Sequence, residues 1–515
     1  MDEELRVGSA EIFKTSENKR TLKKQAVFSL MIALLSLTAS AQKQGNVWVF
    51  GDGSGLNFNG SSPTTVTTSL PLESGYNEGA SSICDSAGNL LFYSNGEKIW
   101  NRYNNVLPHA DSLMGNFSAV QAAIILPQPG SNSLFYVFTI DCFQDTLKHG
   151  LHYTVVDACQ DSGRGDVVPA MKNIPLMDST GETLTAIKHA NGHDYWIIAH
   201  KFWTDKFYAF RLTSPGVADT VITHIGRVHV DSSAPTTTAS AIGTMASSPD
   251  GRHIALVNAN IATSQYFTEL FDFDPATGTL SNYVDLETRE TAIAAHSMGL
   301  YGCSFSPNSS KLYLGAYNDT DLSGTPLLAQ YDISMGAAFP DSLRSSLQWI
   351  QAVNQDSVGI EMLPLSLQIG PNGKMYVSGN STHLWEIEQP DLAGAACQAR
   401  IITAFTVGKT YTMPNILPSY AYDNGLTGCT TETLVPGVQV PGSRVLVYPN
   451  PAAKTFTVVC PGDWQATLTD LAGRKIASFS GTNTAAFSKG EIAAGMYMLS
   501  VKAKDTTFNQ KIVIQ

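Results

Sequence analysis

At 515 residues the chain is long enough for two or more domains, or for one large all-β unit beside a small one. Hydrophobic residues make up 43% and charged residues 15%, with 42 glycines, so a core can be buried beneath neutral polar side chains, a composition of exported more than cytosolic proteins. Residues 42–443 carry 18 Lys and Arg against 35 Asp and Glu, inside a net charge of −12, and that acidic body argues against a nucleic-acid partner, whose binding needs cations to displace counterions.

The N-terminal stretch TLKKQAVFSLMIALLSLTASAQ has three parts: the basic pair Lys23 and Lys24, an apolar run from Ala26 to Leu37, and the small residues Ala39, Ser40 and Ala41. This is a signal-peptide pattern over 22–41, with cleavage expected between Ala41 and Gln42. Twelve apolar residues are too few to span about 30 Å of hydrocarbon, so no transmembrane span is expected in the mature chain. Residues 1–21 are mixed in charge and aperiodic, and are expected to be disordered or untranslated, with Leu22 as the candidate start.

A strand–turn–strand phrase then recurs: ICDSAGNLLFYSNGEKIWN from Ile83, LPQPGSNSLFYVFTID from Leu126, IKHANGHDYWIIAHKFW from Ile187, SSPDGRHIALVNA from Ser247, FSPNSSKLYLGAY from Phe305 and IGPNGKMYVSGN from Ile369. Each sets a Pro, Asp, Gly or Asn turn between two apolar runs, as a hairpin requires. Recurrence every 40 to 65 residues without helical periodicity predicts a β-propeller over 42–425. The opening strand NVWVFGDGSGLNFN, Asn46–Asn59, is expected to pair near Arg400–Val407, completing a seventh blade and closing the ring. The phrases GNVWVFGDGSGLNFN, NEGASSICDSAGNLLFYSNGEKIWNR, HANGHDYWIIAH, SPDGRHIALV and MPNILPSY resemble large secreted propeller proteins of the Bacteroidetes. That resemblance implies a fold and a location but no reaction.

Candidate chemistry is sparse. No nucleophile elbow, HExxH, P-loop or dinucleotide fingerprint stands in a usable context. His189 and His193 lie four apart on a turn. NDTDLSG (318–324) and DFDPATG (272–278) alternate oxygen donors as calcium loops do, without the closing bidentate Glu, so a structural Ca²⁺ is the one cofactor entertained. Glu78, Glu182 and Glu361 are acids that could line a channel, and Trp48, Trp100, Trp196, Trp203 and Trp385 are aromatics that could stack on sugar rings or pack the core. Seven cysteines follow the signal; Cys142 and Cys159 bracket two strand ends and a loop and are the expected local disulfide, with Cys397 and Cys429 second. Triplets of Asp, then Ser or Thr, then a small or aliphatic residue resemble the O-glycan acceptor motif of exported Bacteroidetes proteins, a resemblance that implies Ser112, Thr146, Ser179, Thr220, Ser342 and Ser357 as acceptors, while ordinary turn chemistry also favours Asp beside Ser or Thr.

The Thr-, Gly- and Pro-rich stretch 426–443 reads as a linker. Beyond it, residues 444–515 alternate strand-like runs with Gly turns, which predicts a small immunoglobulin-like β-sandwich. YPNP followed by LTDLAGRKI, IAAGMYMLSV and a terminal KIVI is similar to the C-terminal sorting domain of the type IX secretion system, the match resting on Pro449, Asn450, Pro451, Gly473, Gly495 and Tyr497. It implies the type IX machinery as a partner and a secreted or cell-surface location. The expected role is a non-catalytic propeller that binds a glycan, peptide or envelope protein. The alternative is a secreted hydrolase or lyase acting on polysaccharide or peptide, with its site in the propeller channel.

Overall fold

The computed structural model describes residues 42–70, 78–229, 241–260, 265–286, 298–318, 327–336, 338–353, 363–379, 381–418, 422, 446–448, 452, 455–470, 473–490, 492–503 and 506–514. The expected signal segment, the expected cleavage position Ala41 and the expected linker lie outside these residues. Among the described residues seven antiparallel sheets follow one another between Val47 and Ile401. The first contains Val47–Phe50, Ser54–Asn57 and Thr64–Thr67, and the second Ser81–Cys84, Leu90–Ser94 and Ile99–Asn101. The third starts with Ala123–Pro127, Leu134–Ile140 and Leu151–Asp157, and its outer side is made by Asp166–Val167 and Ile174–Met177, both paired to Leu151–Asp157. Sheets four to seven have four strands each, beginning at Leu184–Lys188, Ile242–Ser247, Met298–Phe305 and Leu367–Ile369.

The six recurring phrases are one structural device. Each is the turn from the first to the second strand of sheets two to seven, and a side-chain oxygen commonly satisfies its amides. Asp85 accepts from the amides of Ala87 and Asn89, Ser248 Oγ from those of Arg252 and His253, and Ser306 Oγ from that of Lys311. The fourth turn position has φ near +60 to +90° at Gly88, Gly192, Gly251 and Gly373, which is why glycine recurs there. In sheet six Ser309 takes the same conformation at φ 61°.

The first strand of each sheet lies against the first strand of the next, from sheet one through sheet seven. Strands facing neighbours on both sides must be apolar throughout, and Ala123–Pro127, Leu134–Ile140 and Tyr195–His200 are buried at every position. Outer strands such as Gly216–His224 alternate towards solvent. Sheet seven returns to sheet one through the Tyr376 ring, 5.7 Å from Trp48 and 5.4 Å from Phe58. This succession of radially packed antiparallel sheets, of three to five strands each, is a β-propeller.

Ring closure differs from the sequence expectation. Asn46–Asn59 does not join a ladder with Arg400–Val407; Val47–Phe50 pairs with Ser54–Asn57, and Ala399–Ile401 pairs with Trp385–Ile387. The two segments meet by side-chain packing instead, Ile402 and Val407 sharing one apolar cluster with Trp48, Phe50 and Leu56, and just beyond them the amide of Asp52 donates to Lys409 O at 3.2 Å. The turn Gly51–Gly53, with both glycines at φ 58°, lets the opening strand fold back on its own neighbour first.

The expected Cys142–Cys159 bridge is also corrected. Leu134–Ile140 and Leu151–Asp157 run antiparallel with Ile140 opposite Leu151 and Leu134 opposite Asp157. Cys142 follows the first strand at one end of the hairpin and Cys159 follows the second at the other, separated by about 20 Å of strand, far beyond disulfide reach. Cys142 is a buried free thiol, whereas Cys159 is disulfide-bonded elsewhere. Cys397 is likewise a buried free thiol, which removes the second expected pair.

In the C-terminal region Leu446–Tyr448, Thr455–Asp470, Lys475–Ser488, Gly495–Ala503 and Thr506–Ile514 form one connected sheet around Thr455–Asp470. Its core gathers Phe456, Val458, Trp464, Leu468, Leu499 and Ile512. Among the described residues no helix is long and apolar enough to cross a membrane.

Candidate functional site: the channel mouth

The first strands all begin at one end of the ring, and the residues just before them make the mouth of the channel. Glu78 precedes Ser81–Cys84 and Glu182 precedes Leu184–Lys188, so the repeat places both acids at equivalent positions. Glu182 is 1% exposed, and its two oxygens accept the amides of Val120 at 3.0 Å and Phe143 at 2.8 Å. Burial first, and then the charge of Glu78, push it up to about 8, against the pull of those amides. With both oxygens occupied and no access, Glu182 ties sheets three and four together and cannot reach a substrate. Glu78 is half-buried and accepts the Tyr301 hydroxyl at 2.9 Å from across the ring, with Ser118 Oγ at 3.4 Å. Burial raises it to about 7, partly offset by those two hydroxyls. Glu361 lies outside the described residues.

The loop from Leu134–Ile140 to Leu151–Asp157 closes over the same mouth. It holds a grouping with metal-ligand character, Asp141, Asp145 and His149, whose donor atoms lie within 4.8 Å of one another. The Asp141 carboxylate accepts the amides of Cys142 and His149, and Asp145 pairs with Lys148 at 3.2 Å. These bonds organise the loop. Burial still holds Asp141 above the usual carboxylate range.

Of the five tryptophans, Trp48, Trp100, Trp196 and Trp385 are at most 4% exposed and belong to the core. Trp203 is 48% exposed, on the turn after Tyr195–His200 at the mouth, and takes φ 60°. A bulky residue in the left-handed region costs of order 1 kcal/mol or more and concentrates at functional sites. Its ring leans on Phe202, 5.1 Å away, which packs with Leu147, Ala241 and Phe143. Nothing in the sequence distinguished Trp203 from its buried counterparts except its place in a turn.

The channel itself is filled. Asn415 donates its amide to Ala80 O at 2.8 Å and its Nδ2 to Leu184 O at 2.9 Å, and its carbonyl accepts Ser81 Oγ at 2.8 Å. Met413–Pro418 therefore runs between the first strands, and the space left beside it is about 50 Å³, lined by Gln121, Thr185, Thr244, Ser304 and Gln368. That is room for one or two waters.

The remaining candidates resolve into local structure. His189 Nδ1 accepts the Asn191 amide and its ring packs on Trp196, while His193 is exposed, so the pair does not converge. Asp274 accepts Ala276 N and Thr277 Oγ1, an Asx turn that uses both oxygens. Of 318–324 only Asn318 is described. In the C-terminal sheet Gly473 turns the hairpin Asp470–Arg474 at φ 81°, Gly495 opens a strand opposite Ile514, and the Tyr497 hydroxyl donates to Ala493 O at 2.8 Å. Pro449, Asn450 and Pro451 lie outside the described residues.

Comparison with known proteins gives one family. Residues 446–515 match the secretion system C-terminal sorting domain. No curated protein matches. Similar solved structures include hydrazine synthase of Kuenenia stuttgartiensis, at 13% identity over 71% of this chain and 96% of that one, with a TM-score of 0.35. The Cps50 (Swd1) β-propeller domain of Myceliophteria thermophila matches at 10% over 66% and 96%, with a TM-score of 0.35. A quinonprotein alcohol dehydrogenase-like protein from Bacteroides thetaiotaomicron matches at 11% over 72% and 78%, with a TM-score of 0.34. The C-terminal segment carries the identification: the chain ends in a type IX secretion sorting domain, and the protein is secreted or placed at the cell surface.

Proposed function

We propose that the protein is an exported, non-catalytic binding module, and that its propeller meets a glycan at the channel mouth. On this reading the seven sheets are the full set of blades, and residues 444–515 form the separate sorting domain that delivers them. The observation that carries the reading is the pairing of a filled channel with an exposed, left-handed Trp203 beside its mouth. An exposed indole offers a flat apolar face that stacks on a sugar ring, and the net acidic body of residues 42–443 favours a neutral or cationic ligand over a polyanion.

A glycoside hydrolase of the usual kind needs two carboxylates able to reach one bond. At the mouth Glu78 is partly accessible, while Glu182 is spent on two amides. Glu78, raised to about 7, is the observation that favours the hydrolase alternative, since an acid poised near neutrality suits proton transfer. Mature protein and its Trp203→Ala variant, applied to glycan and peptide arrays, test the proposal. Glycan binding lost in the variant supports it, and peptide-only binding or binding indifferent to Trp203 overturns it.

A further inference from the structure

We propose that Lys409–Pro418 is a strap that locks the ring from inside and keeps the channel shut to ligands. Among the described residues no sheet is shared between the two ends of the propeller: sheet one is built from 47–67 alone and sheet seven from 367–401 alone. Ladder hydrogen bonds therefore do not close the ring, and another element must.

The segment after Val407 touches the sheets that need joining. Lys409 O accepts Asp52 N from sheet one, and Thr412 Oγ1 donates to Glu78 O at the entry to sheet two. Asn415 bonds to Ala80 and Ser81 of sheet two and to Leu184 of sheet four. On the sheet-seven side, Met413 N donates to Ser366 Oγ at 3.1 Å, Gln368 Nε2 to Ile416 O at 3.1 Å, and Ser378 Oγ to Tyr411 O at 2.9 Å. Pro414 and Pro418 suit such a run, because proline fixes φ and has no N–H left unpaired in a buried segment. Gln121 completes the lock on the opposite wall: its Oε1 accepts the amides of Leu184 and Met245 and its Nε2 donates to Met245 O, joining sheets three, four and five.

The wall of the channel is thus a peptide-binding surface already filled by this chain. Anything entering the lumen must first displace the strap, so ligands are confined to the mouth. The strap follows sheet seven in the chain, so the ring locks only after all seven sheets and Pro418 are made.

Hydrogen exchange read by mass spectrometry on the full mature chain tests this. Asn415→Ala removes the side-chain donor to Leu184 O, Asn415→Asp keeps the shape but sets an oxygen against that carbonyl, and Ser81→Ala removes one hydroxyl. Each should speed exchange about tenfold in Ser81–Cys84 and Leu184–Lys188, with a smaller rise in Leu367–Ile369, because a buried hydrogen bond is lost at a local opening. Lys311–Asn318 and the C-terminal sheet should be unchanged. Unchanged exchange in the first two strands, or an equal rise in every sheet, overturns the proposal. If Asn415→Ala fails to fold, Ser81→Ala alone decides between the same two outcomes.

Discussion

Replacing Glu182 tests how the blades are held at the mouth. Its carboxylate is 1% exposed and satisfies two backbone amides from two different segments, those of Val120 and Phe143. Glu182→Ala leaves both amides without an acceptor in a buried site, and at ~1–3 kcal/mol for each the loss should be about 3–5 kcal/mol once the small cavity is added. Glu182→Gln keeps one acceptor but turns an NH₂ towards the other amide, for a loss of about 2 kcal/mol. The folded state raises this group from 4.5 to about 8, so the folded protein binds the proton more tightly than the unfolded chain does. Its contribution is then complete below pH 4.5 and is lost as pH rises from 4.5 towards 8. Denaturant unfolding of the mature chain at pH 5, 6.5 and 8.5 reads both effects. Wild type should weaken towards pH 8.5, and Glu182→Gln should flatten that slope. A Glu182→Ala loss below about 1 kcal/mol, or a slope unchanged in Glu182→Gln, would refute the staple.

Other expectations follow from single sites. Gly373 sits at φ 77° with nothing within 4 Å of an added Cβ, so Gly373→Ala should cost about 1 kcal/mol by backbone strain alone, read as a shift in denaturant midpoint. Burial pushes His200 well below its ordinary value and His229 down to about 3, while it raises Glu269, 2.7 Å from His229, to about 8. The two lowered imidazoles contribute stability fully above pH 6.5 and lose it as pH falls, so His229→Gln should move the acid-unfolding midpoint to lower pH; an unmoved midpoint counts against this. Deleting residues 444–515 should leave a folded propeller in the periplasm, checked by fractionation, and normal appearance outside the cell would count against it. Ser112, Thr146, Thr220 and Ser342 are exposed, Ser179 is half-buried and Ser357 lies outside the described residues; if any of them carries a glycan, native exported protein should be heavier than its unmodified mass, and equal masses end that expectation.

The six turns were legible in the sequence because each carries its own chemistry: a capping oxygen, often a proline, and a glycine where φ must be positive. Sheet one was harder to read, since its Gly51–Gly53 turn shares the positive-φ glycines but not the proline of the recurring phrase, and its partner was sought at the wrong end of the chain. The disulfide was misplaced because cysteines that flank a hairpin look close in sequence, while antiparallel strands put them at opposite ends. MPNILPSY stood out in the sequence, yet its role did not, because an extended buried run has neither the helical nor the strand period. Glu182 differs from other Glu residues only through contacts made across blades, which no local pattern encodes, and Trp203 differs from the buried Trp residues only by its place in a turn. The sorting domain was the most legible element, since its motifs lie within one short segment and do not depend on distant packing.

The central claim is binding without turnover at the mouth, and calorimetric titration of the best array glycan tests it most directly. Into wild type, Trp203→Ala and Glu78→Gln, the account predicts at least tenfold weaker binding for Trp203→Ala, near-wild-type binding for Glu78→Gln, and intact glycan recovered from every cell. Cleaved glycan from wild type but not from Glu78→Gln would contradict it and make Glu78 a catalytic acid.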